Sequence, residues 1–248
     1  MPKQSLWVTR HAALEQLGGT LSSEATVLNE IFRLLDEAIE NLEKFYVNDS
    51  DVARVSAVMA VKGRNLALGC YSLALDGLAQ ESGALLRPLV EVIELLIYLR
   101  IVHEGTQQAI AGKLPTAGQR ARLINGNLKE LRDSLSQNAC HIDLSYESMK
   151  HVVDLGIGRL RLVQPHRTDV LRTNMGSVSA FTSMLARETA RLFALCSADC
   201  SQSSRKADVT AEALLGKIAL VSNKARALFY PEVLTGGQAT VDLPSSSQ

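Results

Sequence analysis

Apolar side chains recur at helical spacing along most of the chain. In residues 22–47 they occupy positions i, i+3, i+4 and i+7, and Ser22 or Ser23 can cap the start of the helix. The same period continues through segments of about 51–80, 82–104, 116–139, 144–155, 168–197 and 207–229. The pattern therefore predicts an all-α chain, folded as a single irregular helical bundle of six to seven helices.

The predicted bundle fills most of the chain. Residues 1–20 are expected to form an N-terminal lead-in with at most one short helix, and residues 21–230 the helical bundle domain. Residues 231–248, rich in Gly and Ser, are expected to be a disordered tail. The stretch GIGRLRLVQPH, residues 156–166, alternates like a strand, but Gly and Pro flank it. It is therefore predicted to be a loop with an extended piece.

Two of the predicted helices have unusual composition. The helix over about 51–80 is rich in Ala, Gly and Ser, and such small residues let a neighbouring helix approach closely. It is therefore expected to be a central, tightly packed element. The next helix contains Pro88, which cannot donate to the carbonyl of Ala84, so a helix start or a kink is expected near it.

That second helix contains RPLVEVIELLIYLR, residues 87–100, an apolar sequence with one narrow polar stripe. Advancing by the helical period places Arg87, Glu91, Glu94 and Tyr98 within one arc of about 60°. The stripe is either a thin edge that faces water or this helix's share of an interior polar cluster. The narrow arc favours the cluster, in which the buried charges would need partners, and Tyr98 is one candidate donor for Glu94.

Composition excludes several classes of protein. The formal net charge is zero, unlike the strongly basic footprint of a dedicated nucleic-acid binder. The longest apolar run, residues 85–102, contains two Arg and two Glu, and each charge costs about 2.5–3.5 kcal/mol at a bilayer centre. No transmembrane span is therefore predicted. Without a secretory signal, the four cysteines are expected to be reduced thiols in a cytoplasmic protein.

The segment after residue 130 carries the main candidates for chemistry. Ser136 and His141 lie near the end of one predicted helix, and Glu147 and His151 follow at i,i+4 spacing. A carboxylate and an imidazole on one face can ligate a metal, but a surface pair is the favoured interpretation. A ferritin-like metal site would need Glu-x-x-His repeats, which the sequence lacks. No metal site and no cofactor are therefore predicted.

Two features resemble a known family. Arg161 and His166, with four residues between them, resemble the catalytic signature of HEPN ribonucleases, which are helical bundles. Here Leu162 stands where that signature has a polar residue, and Pro165 interrupts the helix that should carry it. Positive charge around this segment would suit an RNA backbone, although a solvated loop is the favoured interpretation.

GLAQESGALLRPLVEVIELLIYL and SLSQNACH together resemble a set of bacterial all-helical proteins of unknown function, some of them abortive-infection proteins, related to the HEPN group. The likeness covers about residues 51–150. It implies that Arg87, Glu91, Ser136 and His141 meet in one polar cluster. The chain departs from that pattern by placing Pro88 directly after the arginine.

The functional expectation leaves open whether the protein is an enzyme. The absence of any strong catalytic motif and the surplus of apolar helix surface favour a non-enzymatic binding or interaction protein that acts as a homo-oligomer, most simply a homodimer, with a protein partner. The alternative is a HEPN-like ribonuclease or toxin, for which His141, Arg161 and His166 are the catalytic candidates.

Overall fold

The computed structural model describes residues 7–46, 50–126, 128–135, 152–154, 156–160, 165–199 and 204–231. These ranges hold nine helices and one pair of two-residue strands. The helices are α1 Trp7–Gly18, α2 Ser22–Tyr46, α3 Asp51–Leu75, α4 Ala79–Ile101, α5 Gly105–Ile110, α6 Ala117–Leu123, α7 Lys129–Leu135, α8 Thr168–Asp199 and α9 Ser204–Phe229. The predicted all-α class is confirmed. The described helices outnumber the predicted six to seven because several of them are short.

Five long helices form the bundle, and α8 lies at its centre. This helix of 32 residues packs against α2, α3, α4 and α9. Its fully buried Met175 and Leu185 join Leu28, Leu89 and Ile93 of neighbouring helices in the main core. The short helices α5, α6 and α7 pack on the α3–α4 side of the bundle.

The sequence pattern predicts a central, tightly packed helix over residues 51–80; α3 is tightly packed on its buried face, but α8 rather than α3 is the central helix. With the exception of Leu75, the buried residues of α3 are Ala, Gly, Ser or Cys. At Gly63 a Cβ atom would lie only 2.8 Å from Leu185 Cδ2 of α8 and 3.1 Å from Val92 Cγ1 of α4. The absence of a side chain at this position therefore lets three helices meet.

The helix predicted over about 116–139 is wrong as one element. Thr116 does begin a helix, as predicted, and forms a capping box with Gln119. The helix ends at Leu123, because Asn125 and Gly126 both adopt positive φ, 62° and 65°. Asn and Gly are the residues that take this conformation most readily. The chain turns there, and α7 starts as a separate helix.

The lead-in contains one helix and the strand-like segment contains one short extended piece, as the sequence pattern allowed. In α1, Arg10 Nε and Nη2 donate to the two carboxylate oxygens of Asp76, each at 2.6 Å, which fixes α1 beside the end of α3. Near the alternating segment, strands β1 Val153–Asp154 and β2 Arg159–Leu160 pair antiparallel. Pro88 lies inside α4 rather than at its start.

The other predictions of helices and disorder fall mostly on residues that the structure does not describe. The tail at 232–248 and most of the helix predicted at about 144–155 lie outside the described residues. The described end of that predicted helix is wrong, because Val153–Asp154 form strand β1. Within the residues that are described, no helix is both long and apolar enough to cross a membrane.

Gly63→Ala tests the three-helix contact. The added methyl group would press on Leu185 and Val92, and overpacking of a core costs about 1–3 kcal/mol, against a helix-propensity gain of about 1 kcal/mol. We expect the free energy of unfolding, measured in urea, to fall. In the matched control Gly216→Ala, where nothing lies within 4 Å of the new Cβ, it should rise by about 0.5–1 kcal/mol. If the free energy of unfolding rises in both variants, the packing around Gly63 has room for a methyl group, and the proposed close contact is wrong.

Candidate functional site

The polar stripe of α4 runs from the surface into the interior. Arg87 Nε lies 3.5 Å from Glu91 Oε1, and these two side chains are 44% and 33% exposed. Glu94 and Tyr98, on the same arc one and two turns later, are buried. The two interpretations of the stripe therefore each describe one half of it: a surface ion pair at the first two positions and interior polar contacts at the last two.

Glu94 forms the buried part of the stripe with an arginine from α7. Arg132 Nη1 donates to Glu94 Oε2 at 2.6 Å, and both side chains are buried. The pKa of Glu94 is raised, because burial penalises its charged form more than Arg132 and Arg120 favour it. Among the described residues, Glu94 Oε1 has no hydrogen-bond partner. This ion pair fixes α7 to the centre of α4.

Tyr98 has a separate structural contact rather than serving as the donor for Glu94. Its hydroxyl donates to Gln108 Oε1 of α5 at 2.6 Å. Its ring also lies against Gly105, where an added Cβ would be 3.0 Å from Cε1. Tyr98 therefore secures the short helix α5 against the end of α4.

The other candidate residues lie largely beyond the described ranges. Ser136, His141 and Arg161 fall outside them, so the predicted cluster of Arg87 and Glu91 with Ser136 and His141 stays a prediction. His166 is described and half-buried just before α8, where its Nε2 lies 3.3 Å from Thr168 Oγ1. The pairing of Arg161 with His166 likewise stays a prediction.

The structure covers only part of the cysteines and possible metal ligands. The described residues contain no group of three or more His, Cys, Asp or Glu side chains placed to hold a metal ion. Burial raises the pKa of the Cys70 thiol to about 12, so it stays protonated near neutral pH. Glu147, His151 and Cys140 lie outside the described residues.

Sequence reasoning missed a buried carboxylate on α8. Glu188 is only 2% exposed, and three arginines surround it: Arg191 Nη1 at 2.6 Å, Arg100 Nε at 3.1 Å and Arg187 Nε at 3.6 Å. The i,i+3 spacing of Glu188 and Arg191 was a visible signal. Arg100 comes from α4, so only the tertiary structure could place it there.

The outward face of α3 exposes three large apolar side chains, Val58, Val61 and Leu68. Its exposed positions include Val58, Val61, Asn65 and Leu68, which we call the α3 seam. Their spacing of three, four and three residues places them within an arc of about 80°. Val58 is 54% exposed and Val61 42%. Two surface hollows, of about 360 and 300 Å³, flank this seam and share Tyr46 and Val58.

Comparisons with known proteins do not assign this chain to a family. No protein-family model, no curated protein and no solved structure matches this chain. The resemblance to bacterial all-helical proteins and the HEPN group therefore stays a prediction.

Arg132→Met tests the buried ion pair. Removing Arg132 leaves the buried Glu94 carboxylate without its hydrogen-bonded partner, and breaking a buried pair in this way costs about 3–5 kcal/mol. The pKa of Glu94 should then rise further, so the folded chain binds this proton more readily than the unfolded chain does. Stability must therefore fall as pH rises above the ordinary glutamate value of about 4.3.

Urea unfolding at about pH 5 and about pH 8 measures this effect. The loss of unfolding free energy in Arg132→Met should be larger at the higher pH. Arg87→Met on the exposed half of the same stripe is the control, and it should cost less than about 1 kcal/mol at both pH values. Equal losses in the two variants would contradict the assignment of Glu94–Arg132 as the buried pair.

Proposed function

We propose that this protein is a non-enzymatic interaction protein that works as a homodimer, and that the α3 seam is the surface on which two copies associate. One observation carries the proposal: an exposed helix face presents branched apolar side chains at coiled-coil spacing. Exposed apolar patches on a folded protein mark sites of association more often than isolated exposed residues do.

The spacing of the seam supports a helix as the partner. Val58, Val61, Asn65 and Leu68 follow the a, d, a, d positions of two heptads. The pattern is too short to identify a coiled coil from sequence, but these four positions all face outward. Helices that pair through such positions insert each side chain into a hole formed by four residues of the facing helix.

Asn65 supports a second copy of the same chain as that partner. A single Asn at an a position fixes the register and the number of helices, at some cost in stability. In a two-fold pair of α3 helices the same surface of each copy faces the other. The two Asn65 side chains can then face one another and hydrogen-bond.

The hollows beside the seam give the interface more area than one helix supplies. One lies against Ile39 and Val61, and the other against Met59, Leu95 and Leu114. Stable interfaces bury about 800 Å² on each partner, more than two heptads of one helix provide. Side chains from the flanking elements of a second copy would fill the hollows and supply the rest.

A double substitution, Val58→Glu with Val61→Glu, tests the homodimer. Two charges on each copy would oppose association, whereas both positions are exposed and should leave the monomer folded. We expect native mass spectrometry and light scattering to find a dimer for the unmodified protein and a monomer for the variant. Circular dichroism should show unchanged helicity.

The matched control places the same two charges elsewhere, as Val209→Glu with Leu220→Glu on α9. These side chains are 67% and 72% exposed, and the control protein should remain a dimer. A monomeric unmodified protein, or a dimer that survives the α3 charges, would refute the proposal. Asn65→Leu should broaden the distribution toward higher oligomers, because it removes the residue that fixes the number of helices.

A further inference from the structure

A large groove separates part of α8 from α9 on a face away from the α3 seam. Its volume is about 790 Å³, within the range of roughly 300–1,000 Å³ that is typical of sites for small organic molecules. We call it the α8–α9 groove. Its lining includes Ser179, Ser183, Arg187, Arg191, Ile218 and Phe229.

One wall of the groove is a ladder of polar side chains on α8. Ser179, Ser183, Arg187 and Arg191 follow one another at i,i+4 spacing, so they lie along one ridge of the helix. The two serines are buried, 1% and 8% exposed, whereas the Arg187 and Arg191 side chains are 47% and 41% exposed. The accessible polar groups of the ladder are therefore the two guanidinium groups at one end.

The two serine hydroxyls have no partner among the described residues. Serine and threonine within a helix commonly donate to the carbonyl one turn earlier. Thr189 does so to Leu185 at 2.8 Å, and Ser222 to Ile218 at 2.7 Å. Ser179 and Ser183 do not, so each keeps an unpaired donor and acceptor, buried beneath the surface of the groove.

The groove is electropositive. Three arginines and no acidic residue are among the described residues that line it. Behind the wall, the single carboxylate of Glu188 is shared by Arg187, Arg191 and Arg100. One negative charge cannot balance three positive ones. Charge complementarity therefore favours an anionic group beside Arg187 and Arg191.

The opposite wall, on α9, is largely apolar. It contains Leu215, Ile218, Ala219 and Phe229, together with the polar residues Ser222, Asn223 and Arg226. Tyr230 approaches the α8 backbone at the far end because Gly176 has no side chain; a Cβ would be 2.9 Å from the tyrosine hydroxyl oxygen. An apolar chain could follow Ile218 and Phe229 away from Arg187 and Arg191.

We infer that the α8–α9 groove is a binding site for a small linear amphiphile with an anionic head and an apolar chain. The head lies against Arg187 and Arg191, and the chain extends past Ile218 toward Phe229. A groove of about 790 Å³ suits a small molecule better than a partner helix, which is about 10–12 Å across. This inference does not depend on the homodimer.

Isothermal titration calorimetry of the full chain with dodecanoate tests the inference. Dodecanoate should bind one molecule per chain. Dodecanol, which has the same chain without the charge, and dodecyltrimethylammonium, which carries the opposite charge, should bind at least about tenfold more weakly. Absence of dodecanoate binding, or equal binding of all three probes, would overturn the inference.

Two arginine variants locate the head group. Arg187→Gln should weaken dodecanoate binding about tenfold or more, since it removes a charge-assisted contact. The protein should stay folded, because Arg187 is the most distant of the three partners of Glu188. Arg226→Gln, on the same groove but near Phe229, should change affinity by less than about threefold. If both variants lose dodecanoate affinity equally, the ligand responds only to the overall positive charge of the groove, and the head-group site at Arg187 is wrong.

A blocking variant locates the chain. Ala219 lines the groove and is exposed, so Ala219→Trp can project an indole into it without disturbing the core. We expect this variant to lose dodecanoate binding and to keep the melting temperature of the unmodified protein. Retained binding would place the ligand elsewhere and refute the assignment.

Discussion

The close approach of α3, α4 and α8 at Gly63 is the contact on which the rest of the structure depends. Packed helix axes lie about 8–10 Å apart, and the distance depends on the side chains between them. At Gly63, α3 contributes no side chain to this contact. The neighbouring α3 residues that face the core are almost all as small as alanine. Large side chains from the other two helices, such as Leu185 and Val92, therefore fill the shared space. The hydrophobic effect and dense packing act together at this point.

The central position of α8 follows from this contact and gives the helix two different polar roles. On its inner side, Glu188 is buried and therefore has to be neutralised by arginines from α4 and from α8 itself. On its outer side, the ridge through Ser183 and Arg187 faces the groove beside α9. The arginines that neutralise Glu188 also make the groove electropositive, so a stabilising cluster and a candidate binding site share the same residues.

The α4 stripe shows that an ion pair has a different effect on stability at the surface and in the core. Arg87 and Glu91 form a surface pair in water, whose contribution to stability is small. Glu94 lies one turn further and is fully buried, so the same side-chain chemistry becomes a constraint that holds α7 in place through Arg132. The helix is continuous through both halves, and what differs is the set of helices that cover each half.

The sequence by itself determined the elements and their class, because helical periodicity and capping are local. It predicted α2, the small-residue face of α3, the start of α6 at Thr116 and the extended piece that contains β2. The turn at Asn125 was also readable from its Asn-Gly pair, although the periodic pattern on either side concealed it. Only the tertiary structure decided which partners the polar residues find. Arg132 meets Glu94, and Arg100 meets Glu188 across a separation of 88 residues. It also decided that Val58 and Val61 face outward while Ser179 and Ser183 line a groove, because exposure depends on which neighbouring helices cover a face, and no local pattern specifies that.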